Sequence, residues 1–332
     1  MLSKNLLLAA LIMLGMTACS DNENCGCEFE NPVEAKISGD MNGMKSRVAG
    51  DQWTYDQIGV RVINAPTSNM ESIYKNVGYE TESNTSSAFF TPINPKEAIF
   101  FKDNTEIVTF AAYAPYKKTQ PGVLPENNGI ISVDTRSKNN NQDQQISINY
   151  LYASGAKASK MNPIVAFTKV SENEDYSFKH VMSRLILTFK ASVSDGFTGN
   201  EIFTSTGGSY LLGGLKLVGN FNVTTGVAQA TGSIVNDWDI SNCIFVDNKV
   251  DKLRTYTLLL LPQENGPNSR MTISIKVNGT TYKNSQTINA TLKPGLSYHY
   301  TIILKKNGLE ISGSTITDWI EVDDVEGGAM SD

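Results

Sequence analysis

Histidine is nearly absent from this chain. His180 and His299 are the only two among 332 residues, too few to stock most catalytic triads and proton relays. Cysteine is scarce as well, four in all, and their placing rules out a disulfide framework. Cys19 lies near the amino terminus, Cys243 stands alone, and Cys25-Gly26-Cys27 is too close a pair to bridge without strain. Two thiolates with no second pair and no histidine nearby in sequence do not make a metal site. The motifs that carry a catalytic mechanism are missing: no G-x-S-x-G elbow, no H-E-x-x-H pair, no phosphate-cradling G-x-x-x-x-G-K-S/T and no G-x-G-x-x-G after a strand. Paired carboxylates of the glycosidase kind stay open, because their separation is invisible in sequence. Lys and Arg number 28 against 34 Asp and Glu, a net charge of −6, which argues against the clustered positive surface that nucleic acid requires. Apolar spacing of three and four is nowhere kept long enough for a substantial helix. The expectation is a protein that is not an enzyme, with no cofactor, no metal and no nucleic-acid partner.

What is present begins at the amino terminus. Lys4, the apolar run Leu6 to Leu14 and then Gly15-Met16-Thr17-Ala18-Cys19 follow the order of a secretory signal: positive end, apolar middle, small residues at the cut. The run falls short of the roughly 20 apolar residues that cross a bilayer. The cysteine directly after Thr17-Ala18 resembles the lipobox of bacterial lipoproteins, which implies cleavage between Ala18 and Cys19 and a lipid on Cys19. A plain signal followed by a chance cysteine is the alternative. Ser20-Asp21-Asn22-Glu23 resembles the acidic tag by which Bacteroidota send lipoproteins to the outer face of the outer membrane. Residues 1–18 are thus expected as signal peptide and 19–32 as a lipid-anchored tether.

From Val33 onward the pattern has period two. Ile58 to Ile63, Ile107 to Tyr113, Leu185 to Phe189, Tyr256 to Leu261 and Met271 to Val277 are short β-rich runs bounded by Gly, Pro, Asn or Asp. Val277-Asn278-Gly279-Thr280 is the clearest hairpin, Asn-Gly supplying the positive φ angles of a tight turn. Parallel pairing calls for helical crossovers, and none is found, so the class is all-β, with antiparallel sandwiches. The polar run Ser171 to Asp175 marks a seam, placing one domain at 33–172 and a second at 173–332. Trp53, Trp238 and Trp319 are expected as core anchors, and His180, between Phe178 and Met182, as a packed, hydrogen-bonded side chain. His299, between Tyr298 and Tyr300, is expected on the polar side of its strand. Glu321, Asp323, Asp324 and Glu326 lack the regular oxygen spacing of a calcium loop and read as a solvated end.

A series of landmarks then carries a resemblance. Arg47 to Trp53 leads to Asp56 to Val60; Phe110 to Tyr116, Tyr150 to Ala153 and Phe178 to Leu185 follow. Leu260 to Gln263, Pro294 to Tyr300 and Ile316 to Trp319 complete a set that resembles the fimbrillin-like (Mfa-like) lipoproteins of Bacteroidota in the same order. The resemblance implies two transthyretin-like antiparallel β-sandwich domains in tandem. It further implies a fimbrial subunit or adhesin, stalk or tip, at the cell surface, whose partners are other fimbrial subunits and host or bacterial surface ligands. A monomeric surface lipoprotein that binds glycans or host ligands is the alternative. In that family a first strand is cut away after an arginine, and Arg47 stands at the matching place. Val33-Glu34-Ala35-Lys36-Ile37-Ser38 alternates as a half-buried strand should, with Gly39 to Ser46 as the polar link to Arg47. Removing it is expected to strip Val33, Ala35 and Ile37 from a groove and leave an edge for an incoming strand. Ile311 to Val325, with Ile316, Trp319, Ile320 and Val322, is the candidate donor. The opposing expectation is that this segment closes its own sandwich and Arg47 is an ordinary loop residue.

Overall fold

The computed structural model describes residues 31–40, 57–82, 87–136, 142, 145–203, 208–264, 266 and 269–319. Cys19, Ala18, Arg47, Trp53 and the acidic residues beyond Asp318 lie outside them. The fold is all-β, its few 3-10 turns being three residues long.

Eight strands form the first sheet, in the order Ile164–Phe167, Lys36–Asp40, Ser87–Pro92, Val77–Glu80, Gln57–Asn64, Val108–Ala114, Leu151–Ala158 and Lys179–His180. Val108–Ala114 is buried on both faces, and its composition follows from that. Phe110, Ala112 and Ala114 enter one core cluster while Tyr113 enters another, so apolar residues run on without alternation. Five strands form another sheet, in the order Phe245–Asn248, Leu253–Leu260, Ser183–Ala191, Leu296–Lys305 and Gly308–Asp318. Here Ser183–Ala191 alternates strictly, with Leu185, Leu187 and Phe189 buried and the residues between them half-buried. That face shares a cluster with Tyr210, Leu212, Ile273 and Ile275 of a second five-stranded sheet, the two layers of a β-sandwich. The expected hairpin is present: Arg270–Val277 pairs with Thr280–Lys283, and Asn278 and Gly279 have φ of 48° and 82°, both positive as a two-residue turn of this hand requires.

Among the described residues two strand pairs run parallel, against the expectation of antiparallel pairing alone. Ile164–Phe167 pairs parallel with Lys36–Asp40, and Ser183–Ala191 with Leu296–Lys305. Helical crossovers are unnecessary because several whole strands, of the same sheet and of others, lie between the partners in the chain.

Among the described residues, the buried ones gather in three clusters. The first spans Ala35 to Phe178 and the second Leu185 to Leu309. The third takes Tyr113, Ile131, Ile148 and Tyr150 from before Glu172 and Phe221, Leu259 and Trp319 from after it. A three-stranded sheet has the same mixed origin, Ile130–Asp134 pairing with Val218–Asn222, which pairs with Val227–Ala230. Gln142, fully buried, adds polar bonds: its Nε2 donates to Leu259 O at 2.6 Å, and Leu259 N donates to its Oε1 at 3.0 Å.

Candidate functional site

The amino-terminal strand is held on both sides. Val33–Glu34 pairs antiparallel with Phe100–Phe101, and Ala35 N donates to Ile99 O at 2.8 Å. Lys36–Asp40 then lies between Ser87–Pro92, antiparallel, and Ile164–Phe167, parallel. Its pleat sends alternate residues inward. Ala35 and Ile37 are each 1% exposed, Val33 is half-buried against the same cluster, and Lys36 is exposed.

The strand runs further than its alternation indicates. Gly39, expected in the polar link, is buried and pairs with Ala88 and Phe167. A Cβ there would stand 3.1 Å from Cε2 of Phe178 and 3.3 Å from Cε2 of Phe90. Glycine within a strand marks such a close approach, and that is the sequence signal that could have placed it. Withdrawing Lys36–Asp40 would open a slot between two strands instead of baring one edge, leaving unpaired N–H and C=O groups along both walls. The lost burial of Ile37 alone is worth ~1.5–3 kcal/mol.

The carboxy-terminal strand Gly308–Asp318 pairs antiparallel with Leu296–Lys305 of its own chain, at the edge of the five-stranded sheet. Leu309 is buried, Ile311 half-buried, and Ser312 to Asp318 are exposed, Ile316 among them at 59%. Trp319, expected as a core anchor, is 6% exposed and packed in the third cluster. Its ring stacks on His180 at 3.9 Å and 5°, and the Arg184 guanidinium carbon lies 5.0 Å from its centroid. Trp238 is likewise buried, as a core anchor should be.

Neither histidine is placed for catalysis. His180 Nδ1 lies 2.9 Å from Asn149 Oδ1, so Nδ1 donates and the buried Nε2, which has no partner among the described residues, carries the lone pair. Burial, with the nearby Arg184 cation second, pushes its pKa down to about 3. His299 Nε2 sits 3.0 Å from Ser297 Oγ, to which Arg184 Nε donates at 2.9 Å. Ser297 is wholly buried, closed to any substrate that such a Ser–His pair would attack.

The fimbrillin-like family model matches residues 46–319. A candidate cell adhesion protein from Bacteroides ovatus, known as a crystal structure, is similar at 25% identity and a TM-score of 0.63, covering 87% of this chain and 99% of its own. A second, from Bacteroides uniformis, shares the fold at 22% identity and a TM-score of 0.62, covering 88% and 99%. No curated protein matches this chain. The family match takes in the strands described above except Val33–Glu34 and Lys36–Asp40, which precede residue 46. The chain belongs to the fimbrillin-like family.

Proposed function

We propose that this protein is a fimbrial subunit or adhesin of the outer-membrane surface. In this reading it is exported by a signal ending at Ala18, lipidated on Cys19, and assembled by strand exchange after cleavage at Arg47. The observation that carries the reading is the seating of Lys36–Asp40 between Ser87–Pro92 and Ile164–Phe167. A strand hydrogen-bonded on both sides leaves behind, once cut and withdrawn, the most complete template a sheet can offer to an incoming chain. Membership of the family supports a fimbrial or adhesive role at the cell surface, and other fimbrial subunits as partners. Charged groups such as Arg254 and the half-buried Asp247 bind one another, at 2.8 Å, and the Arg254 guanidinium stacks on Phe245.

The test is conversion of monomer to filament. The uncut monomer should carry lipid on Cys19 by mass spectrometry. An arginine-specific protease should cut it after Arg47 and yield a ladder of polymers resistant to mild detergent. Arg47→Ala should stay folded, uncut and monomeric. Fibres formed by the Arg47→Ala protein with residues 33–47 still attached would rule the mechanism out. A strictly monomeric protein with affinity for a polysaccharide would favour the glycan-binding lipoprotein in its place.

A further inference from the structure

The two ends of the first sheet differ in what they carry. Val108 pairs with Ala158 at one end of a ladder whose other end joins Ala114 to Leu151. Antiparallel ladders lead from Lys36–Asp40 through Ser87–Pro92, Val77–Glu80 and Gln57–Asn64 to Val108–Ala114, so the first and last of these strands run the same way. Lys36 is therefore at the Val108 end and Asp40 at the Ala114 end. At the Ala114 end Tyr113 and Tyr150 enter the third cluster with Phe221 and Leu259, and so that end faces the second half of the chain. The Val108 end points away from this junction. It is formed by the loops between Phe101 and Val108 and between Ala158 and Ile164, tied together where Lys160 Nζ donates to Asn104 Oδ1 at 2.7 Å. Met161 is 89% exposed there, Ile107 60% and Ile164 46%. Single exposed apolar side chains are ordinary, but several on adjoining loops mark a contact surface.

The chain that leads back to Cys19 enters at this same end. Val33–Glu34 pairs with Phe100–Phe101, and Lys36 N donates to Pro163 O at 2.8 Å, which sets the start of the first strand beside both loops. Residues 19–33 reach at most ~50 Å when fully extended, so a lipid on Cys19 keeps this end close to the membrane. The charges suit a lipid surface. Lys36, Lys102 and Lys157 are exposed around the apolar residues. Of the acids, Glu34 is half-buried, Asp103 accepts from the backbone N–H of Thr105 and Glu106 at 2.8 Å each, and the buried Glu106 accepts from those of Thr67 and Ser68 at 2.6 and 3.1 Å. Apolar tips with a basic fringe bind a bilayer surface through buried apolar area and attraction to anionic headgroups. Resting on the lipoprotein reading above, we propose that this end lies against the lipid surface that holds Cys19, with Met161 and Ile107 in the headgroup layer and the lysines on lipid phosphates. The anchor fixes a point and the loops fix the axis. The second half of the chain then stands away from the membrane, as do Asp40 and Gln57, the described residues nearest Arg47 on its two sides.

The experiment floats the full-length lipidated protein on vesicles of phosphatidylethanolamine and phosphatidylglycerol, with and without bromine on the acyl chains. Tryptophan emission is compared in the wild type, Met161→Trp and Val250→Trp, bromine quenching only indoles that reach the chains. Val250 is also 89% exposed, and it precedes Leu253–Leu260 at the end of that strand remote from Leu259 and the third cluster. Most of the emission added by Met161→Trp should be lost on brominated vesicles and that added by Val250→Trp kept. Adding Ile107→Glu to Met161→Trp should restore the emission without stopping flotation. An unmodified Cys19 overturns the lipoprotein reading and this inference together. Flotation with lipid on Cys19 and no quenching of either added tryptophan, or equal quenching of both, overturns this inference and leaves the anchor standing. Quenching that Ile107→Glu leaves unchanged overturns the place given to its loop. In the unlipidated Cys19→Ala form without vesicles, a blue shift of the Met161→Trp emission that grows with protein concentration would mean that a second copy covers this end, and overturns the inference as well.

Discussion

An exposed histidine is partly charged near neutral pH, but His180 lies flat against Trp319, bonded to Asn149 and within the field of Arg184. Burial first, then that cation, holds its pKa down to about 3, against about 6.5 in an unfolded chain. As the pH falls below about 6.5 the unfolded chain takes up a proton that the folded one refuses until about 3. Stability from this group is therefore complete above about 6.5. It is lost on acidification at about 1.4 kcal/mol per pH unit, or about 2 kcal/mol by pH 5. His299 is shifted the same way by its own burial and then by Arg184, so its contribution has the same sign. The Asp247 carboxyl, held below the usual range first by its hydrogen bond from Arg254, acts lower, below about pH 4. His180→Phe keeps a ring against Trp319 and removes the proton site. Urea unfolding of that variant should show a flatter stability profile between pH 6.5 and 5 than the wild type. Equal slopes would mean that His180 is solvated in the folded protein.

Strands with one dry face were legible in the sequence, because burial writes itself as alternation. Ser183–Ala191 and the Arg270–Val277 hairpin stand where their patterns and Asn278-Gly279 put them. Elements whose neighbours come from far along the chain were not legible. Nothing near Gly39 announces that Phe90 and Phe178 close over it, so a strand residue looked like the start of a loop. The two parallel pairs are of the same kind, as is Trp319, whose partner His180 precedes it by more than half the strands of the second half of the chain. Of the candidate site, the inward positions Ala35 and Ile37 could be read from alternation, but not the second wall Ile164–Phe167. The tightness at Gly39 is open to test. Gly39→Val should force the rings of Phe90 or Phe178 to shift, at ~1–3 kcal/mol, and loosen the strand. Amide exchange at Lys36 to Asp40 should speed up and the urea midpoint fall. An unchanged midpoint with unchanged exchange would show that the rings yield freely.

At the scale of the molecule, two separately cored halves meet along a third cluster. We propose that they are the two β-sandwich domains expected from the sequence, with the seam between Phe178, the last residue of the first cluster, and Leu185, the first of the second. What joins them is specific. Phe221 is fully buried, its ring stacked on Tyr150 at 4.5 Å and 26° and 6.2 Å from Tyr113. The strand that bears it is bonded to Ile130–Asp134 from before the seam, and Gln142 fixes the backbone of Leu259 across the same junction. Each half keeps its own cluster when this junction is weakened, so the halves should remain folded while losing their coupling. Phe221→Ala removes a large buried ring, a change that costs ~3–5 kcal/mol, and nearly all of it falls on the third cluster. Calorimetry should show one unfolding transition for the wild type and two for the variant. Trp238 fluorescence should report the transition of the second cluster, and Trp319, stacked on His180 in the third, should change at the lower temperature. A single transition merely displaced to lower temperature would mean that the three clusters form one cooperative core, and that the chain has no seam at which to divide.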